Sequence, residues 1–344
     1  MGDVLLATPV FQALKESYPG CWVGALVRPA TVSLLQPHPF VDEVIADDPT
    51  GAHEGWKGFW RLAGEIRSKH ADVGLVLWPT RRNMKALYWG GVSNILSFGR
   101  RPFQWMWGDG IFRRRLGHLR RHEVENNLEV AGLVGASAFR PLMTISLTEE
   151  DQKFSYNFYA HHRVKVAEKV VGLFPGHGGS AVLKVPLSTY VQVAVELRQA
   201  GLKVMVGVGP SERAETEAWH RAFGQSATLW SDPDWSLGRL AAAISRWNVF
   251  VGMSTGPMHL ASALGVPVVS LFTPIDGNTP RRWGPWGVPS IILTPGLPIL
   301  CPDCFGNRCP YYNCMSRIPV AEIVQAVGQI LSRSHGDYPH RGTK

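Results

Sequence analysis

The stretch Val251–Val269, VGMSTGPMHLASALGVPVV, decides the fold. An apolar strand ends in a small polar loop, Ser254-Thr255-Gly256, and a helix follows at once. Pro257 stands at a first-turn position, where its missing N–H is no loss. A second apolar run, 267–272, comes after that short helix. Strand, tight loop, helix and strand form the repeating unit of a parallel sheet. The helix start aims free N–H groups and its positive dipole end at the loop, and small residues let an anion reach the backbone. This is a phosphate site made of backbone rather than of a P-loop. His259, in the first turn, is able to donate to a phosphate oxygen. The same pattern also fits a plain cap by Ser254 and Thr255, with His259 packed beneath the loop.

Working outward, the same grammar repeats. Strands are predicted at 170–174, 203–208 and 249–252, and helices at 188–200, 211–222, 236–245, 256–264 and 319–333. Ser188 is the expected N-cap of the first of these helices. Upstream, the pattern predicts strands at 22–27 and 73–77 and helices at 58–69 and 122–135. The alternation lapses at about 140–150, which reads as a crossover between domains. Short apolar strands alternating with helices mean parallel sheets covered on both faces. The expectation is α/β, with two doubly wound Rossmann-like domains facing a cleft: 1–145, then 146–333, then a disordered tail at 334–344. Ligands of such sheets bind beyond the carboxyl ends of the strands.

Length and composition agree. The chain has 344 residues, 45% hydrophobic and 18% charged, enough for two domains and against extended disorder. No apolar run reaches the ~18 residues of a spanning helix. The start, MGDVLLATPVF, lacks the basic-then-apolar order of a signal peptide, so a cytoplasmic location is expected. A formal charge of +8 predicts anionic partners: nucleotides, phosphorylated sugars, an acidic membrane surface or nucleic acid.

Three further loops carry possible chemistry. In 174–186, FPGHGGSAVLKVP, the glycines free the backbone and Lys184 suits a diphosphate as a point charge; a solvated lysine on a flexible loop fits as well. In Gly209-Pro210-Ser211-Glu212, the carboxylate is placed to accept from a ribose, or simply to sit in a helix first turn. Asp3 precedes an apolar helix and is placed either to take a proton from a hydroxyl or to act as an N-cap.

Four cysteines, Cys301, Cys304, Cys309 and Cys314, are spaced C-x2-C-x4-C-x4-C. Four thiolates suit a structural zinc or an iron–sulfur cluster, although the usual long gap between two pairs is absent; disulfides are the other structural role. Cys21, alone in an apolar stretch, reads as a buried thiol. Arg113–Arg115 and Arg120-Arg121, just after Trp105 and Trp107, suit a phosphorylated lipid-linked acceptor at a membrane surface, or a merely solvated basic face. Nucleic acid is not expected, because no recognition signature accompanies the basic residues.

Together these segments resemble glycosyltransferase family 9, the lipopolysaccharide heptosyltransferases. GDVLLATPVFQALKESYPG is similar to that family's N-terminal loop and first helix, and HEVENNLEVAGLVG to its late N-domain helix. FPGHGGSAVLKVPLSTY and FVGMSTGPMHLASALGVPVVSLFTP resemble its two donor loops, and 301–314 resembles a cysteine-bearing segment of many relatives. The resemblance implies a GT-B fold and an inverting, metal-independent transferase. It would move a heptose from ADP-heptose to the lipopolysaccharide inner core at the cytoplasmic face of the inner membrane. A different donor or acceptor, or nucleotide-sugar binding without transfer, is the alternative.

By the same resemblance Asp3 is the general base. Lys184, with Gly179 and Ser180, holds the diphosphate, as do Ser254, Thr255, Gly256 and His259. Glu212 meets the ribose and Trp235 stacks on the adenine. Arg81, Arg113, Arg114 and Arg120 are the candidates for the acceptor. No cofactor is expected. Three departures stand out: Ser254 occupies a position where relatives often carry Asp, Gly-Gly-Ser replaces a Thr-rich loop, and Met1 lies almost on the Gly-Asp loop, where relatives first have a short strand. The first domain is therefore expected to begin one strand late.

Overall fold

A computed structural model describes residues 1–97, 121–176, 183–231, 236–298 and 301–333. The chain divides into two compact units, one of Leu6–Pro141 and one of Met1–Leu5 with the chain from Leu142 onward. Helix α1 (Gly2–Ser17) opens the chain, its first turn belonging with the second unit.

The first unit alternates β1 (Gly24–Val27), α2 (Val32–Leu35), β2 (Glu43–Ala46), α3 (Gly55–Arg67), β3 (Val73–Val76), α4 (Arg81–Trp89), β4 (Asn94–Ser97) and α5 (Glu123–Gly132). β1 pairs with β2 and β3 with β4, both in parallel, and among the described residues no strand joins these two ladders. Helix burial supplies what the short ladders lack: Leu62 and Ile66 of α3 pack on Val76, Ala86, Val92 and Ile95. α1 sets Val10 and Ala13 against Ala131 and Ala136, and Asn127 Nδ2 donates to the Leu6 carbonyl at 3.0 Å. The predicted helix from His122 starts one residue later. His122 is its N-cap, with Nδ1 accepting from the Val124 amide and the Glu125 carboxylate closing the capping box.

The second unit runs α6 (Glu149–His161), β5 (Val170–Phe174), α7 (Leu187–Gln199), β6 (Lys203–Gly207), α8 (Thr216–Phe223), β7 (Thr228–Trp230), α9 (Leu237–Ile244), β8 (Val249–Met253), α10 (Gly256–Ala263), β9 (Val268–Leu271), α11 (Pro280–Trp283), β10 (Ser290–Leu293) and α12 (Val320–Ser332). Six parallel strands form one sheet in the order β10-β9-β8-β5-β6-β7. β5 and β8 are buried throughout, as their unbroken apolar runs predict. Trp247 lies over Gly172, where any β-carbon would collide with its ring.

Two local expectations fail. Ser188 is not the cap of α7: Pro186 holds that place, because its fixed φ and the buried Leu183 and Val185 start the helix at Leu187. The helix expected over 211–222 is a 3-10 turn, Pro210–Glu215, followed by α8. Glu212 turns inward there, and its burial holds the tighter turn.

Candidate functional site

The sheet order places a topological switch between β5 and β8. Connections from β5 run on toward β6 and β7, and those from β8 toward β9 and β10. The register sets Phe174 beside Gly252, and Leu271 beside Met253, so the loops that follow leave from one edge. Crevices at such points bind ligands. Pro175-Gly176 and Ser254-Thr255 are the first backbone beyond that edge.

Thr255 occupies the N-cap position of α10 with extended backbone, but its hydroxyl does not cap. It donates back to the Met253 carbonyl at 3.4 Å. The Met258 and His259 amides turn inward to the Thr255 carbonyl, and Pro257 has no N–H to offer. The simple-cap reading of Thr255 is thus set aside, and the positive end of α10 is left uncovered by any side-chain cap. Ser254 is half-buried, and His259 is 4% exposed, beneath the first turn.

The start of α1 meets the start of α10. A β-carbon on Gly2 would lie 3.1 Å from His259 Cδ2, and the Met1 side chain covers Gly256 so closely that no β-carbon fits there. Two helix N-termini therefore adjoin, and their partial positive charges add. Asp3 is exposed and lies inside the first turn of α1, which begins at Gly2. It is neither an N-cap nor a loop residue.

Glu212 is 4% exposed and bridges two strand ends. A β-carbon at Gly176, after β5, would come within 2.9 Å of its Oε2, and one at Gly209, after β6, would come closer still. Both glycines are thus required by this carboxylate, which a simple helix-start role would not demand. Lys184 is exposed between buried Leu183 and Val185, as an extended segment alternating outward and inward requires. Its carbonyl accepts from Asn313 Nδ2 at 2.7 Å. Gly179, Ser180, Trp235, Arg113, Arg114 and Arg120 lie outside the described residues. Arg81 is exposed at the start of α4, after Thr80, whose hydroxyl caps the Asn83 amide.

The cysteine segment is docked on the core of the same unit. Cys314 and Met315 pack with Leu183 and Val185, and the Gly306 amide donates to Cys304 Sγ at 3.4 Å. All five thiols are free. Cys21 is only half-buried, with Sγ facing the Leu14 carbonyl, so it is less enclosed than its apolar stretch suggests. Burial pushes the Cys314 thiol up, and the nearby Cys301, Cys304 and Cys309 thiols push the same way. Among the described residues no three His, Cys, Asp or Glu side chains are gathered as a metal site.

Sequence reading missed two residues here. Asn313 gave no signal, since its partner is 129 residues away. Thr273, buried just past β9 and accepting from Asn278 Nδ2 at 3.4 Å, gave only its strand-end position.

Known proteins share this fold. Lipopolysaccharide heptosyltransferase 3 of Escherichia coli K12 is 26% identical over 310 residues, 83% of this chain and 82% of its own. The crystal structure of a family 9 glycosyl transferase from Veillonella parvula superposes with a TM-score of 0.83 at 22% identity, covering 96% of this chain and 94% of that one. The ADP-heptose lps heptosyltransferase II of E. coli superposes with a TM-score of 0.74 at 17% identity, covering 96% and 95%. The fold is GT-B. The sequence pattern of Glycosyltransferase family 9 (heptosyltransferase) matches residues 114–314, more than half of the chain. With that match over a parallel sheet whose order switches between β5 and β8, the chain belongs to glycosyltransferase family 9.

Proposed function

We propose that this glycosyltransferase moves a heptose from ADP-heptose to the inner core of lipopolysaccharide, with inversion and without a metal, as a peripheral protein at the cytoplasmic face of the inner membrane. The acceptor hydroxyl attacks the anomeric carbon as the bond to the diphosphate oxygen breaks. Asp3 takes the hydroxyl proton. The α10 start, Ser254, Thr255, His259 and Lys184, together with Gly179 and Ser180, stabilise the charge that grows on the leaving ADP. Glu212 holds the ribose and Trp235 stacks on the adenine. Arg81, Arg113, Arg114 and Arg120 meet phosphates of the acceptor.

The observation that carries this reading is the adjoining of α1 and α10. The first turn of α1, which bears Asp3, and the first turn of α10 meet at Gly2 and His259. The ADP-heptose lps heptosyltransferase II and the lipopolysaccharide heptosyltransferase 3 of E. coli support this choice of donor and acceptor. Ser254, a hydroxyl where relatives often carry a carboxylate, favours a second reading in which the donor is another nucleotide sugar.

Both are tested by incubating the protein, in a chelator, with heptose-deficient lipopolysaccharide and a panel of nucleotide sugars. The first reading predicts turnover with ADP-heptose. Turnover only with another donor supports the second. Tight donor binding without transfer to any acceptor would mark a binding protein.

A further inference from the structure

We propose that the outer face of α3 and α4 is a docking surface for an anionic lipid bilayer. Three exposed rings and one half-buried ring, Trp60, form a continuous ridge there. Trp56 and Trp60 sit one turn apart on α3, with ring centroids 5.3 Å from each other. Trp60 meets Trp89 of α4 at 5.3 Å, and Trp89 meets Tyr88 at 5.3 Å. Trp56 is 72% exposed, Tyr88 46% and Trp89 41%. A soluble surface rarely groups large rings in this way without a partner.

The charge around the ridge selects the partner. Lys57, Arg61 and Arg67 of α3 and Arg81 and Lys85 of α4 are exposed, while Arg82 is taken up by the Asp47 carboxylate. With Arg82 left out, five cations on the two helices stand against one acid, Glu65, a balance of +4. Arg67 also donates to the Trp89 carbonyl at 2.7 Å, which fixes cation and ring side by side. Amphipathic rings flanked by Lys and Arg match the headgroup level of a bilayer. There the rings bury at the acyl boundary and the cations meet phosphates.

Other occupants fit less well. A second copy of the face would set like charges together. The rings pack edge to face, at 83°, 63° and 81°, so they offer a compact wedge rather than open stacking faces for bases. The inference rests on the peripheral membrane placement proposed above and concerns binding, not catalysis, so vesicle binding and sugar transfer fail or succeed separately.

The test is flotation of the full chain with vesicles of 70:30 phosphatidylethanolamine and phosphatidylglycerol, and with pure phosphatidylcholine vesicles, at low and physiological salt. Wild-type protein floats with the anionic vesicles, less so in salt, and not with phosphatidylcholine. Trp56→Ser/Trp89→Ser and, separately, Lys57→Glu/Lys85→Glu each weaken binding by about tenfold or more. Phe139→Ser, which removes an exposed ring elsewhere, leaves it unchanged. All these positions are exposed, and unchanged thermal melting confirms that each variant folds. Failure of the wild type to float overturns the proposal, as does flotation indifferent to both double substitutions. So does a result in which the substitutions abolish self-association, or binding of an oligodeoxythymidine, and leave vesicle binding intact.

Discussion

The two units use the same alternation of strand and helix and reach different structures. In the second, six parallel strands make one continuous sheet, and its middle strands β5 and β8 are buried along their whole length. In the first, the four strands among the described residues stand as two separate pairs, and β2 is half-buried along its whole length. A continuous sheet fixes the loops at its edge, as a diphosphate site needs, whereas short ladders depend on the helices that cover them. The difference assigns rigidity to the second unit, which carries the donor loops of the proposed function. It leaves the helices of the first with faces free for another surface.

The contrast is sharpest in stability. Phe250→Ala, which empties a fully buried site in β8, should cost about 3–5 kcal/mol. Ile45→Ala in β2 should cost only about 1 kcal/mol. Urea unfolding of both variants measures the gap, and equal losses would mean that the two sheets are equally well packed.

Next in size is the donor loop. Lys184→Ala should lower kcat by about 10²–10³-fold, the scale of one preorganised charge contact at a leaving group, and should leave the melting temperature in place because the side chain is exposed. Steady-state kinetics with the preferred donor reads it directly.

Asn313→Ala removes the 2.7 Å bond to the Lys184 carbonyl. It should cost about 1 kcal/mol of stability and raise the donor KM several-fold. In a Lys184→Ala background the KM effect should disappear, whereas an additive effect would reduce Asn313 to a structural tie.

The smallest effect is one of pH. Burial lowers the His162 pKa, and His161 and Lys203 add to it. The neutral ring is therefore the folded form. Its contribution is complete above the unfolded value of about 6.5 and is lost as pH falls through the lowered folded pKa. His162→Gln should flatten that acid-side loss, by less than about 1 kcal/mol because the ring is partly solvated. Thermal melts of both proteins between pH 5 and 8 would show it.

The contrast also explains what the sequence made legible. β5 and β8 are uninterrupted apolar runs before polar loops and β9 is broken only by Ser270, so four of the second unit's six strands could be read, while β7 and β10 were missed. In the first, EVIA and NILS carry polar residues on half-exposed ladders and resemble loops. α6 is missed because EEDQKFSYNFYAH is mostly polar, and only its Thr148–Asp151 capping box announces it. The site follows the same division. Ser254 to His259 are contiguous and were readable. The glycines that admit the Glu212 carboxylate, the contact of Gly2 with His259 and the tie from Asn313 to Lys184 join residues far apart in the chain, and no local pattern encodes them.

The most direct test of the central claim is Asp3→Asn, assayed for transfer and for donor binding in the same preparation. The account predicts a fall in kcat of about 10²–10⁴-fold, the range of a lost general base, with donor affinity and melting temperature unchanged. Transfer at the wild-type rate by Asp3→Asn would contradict it.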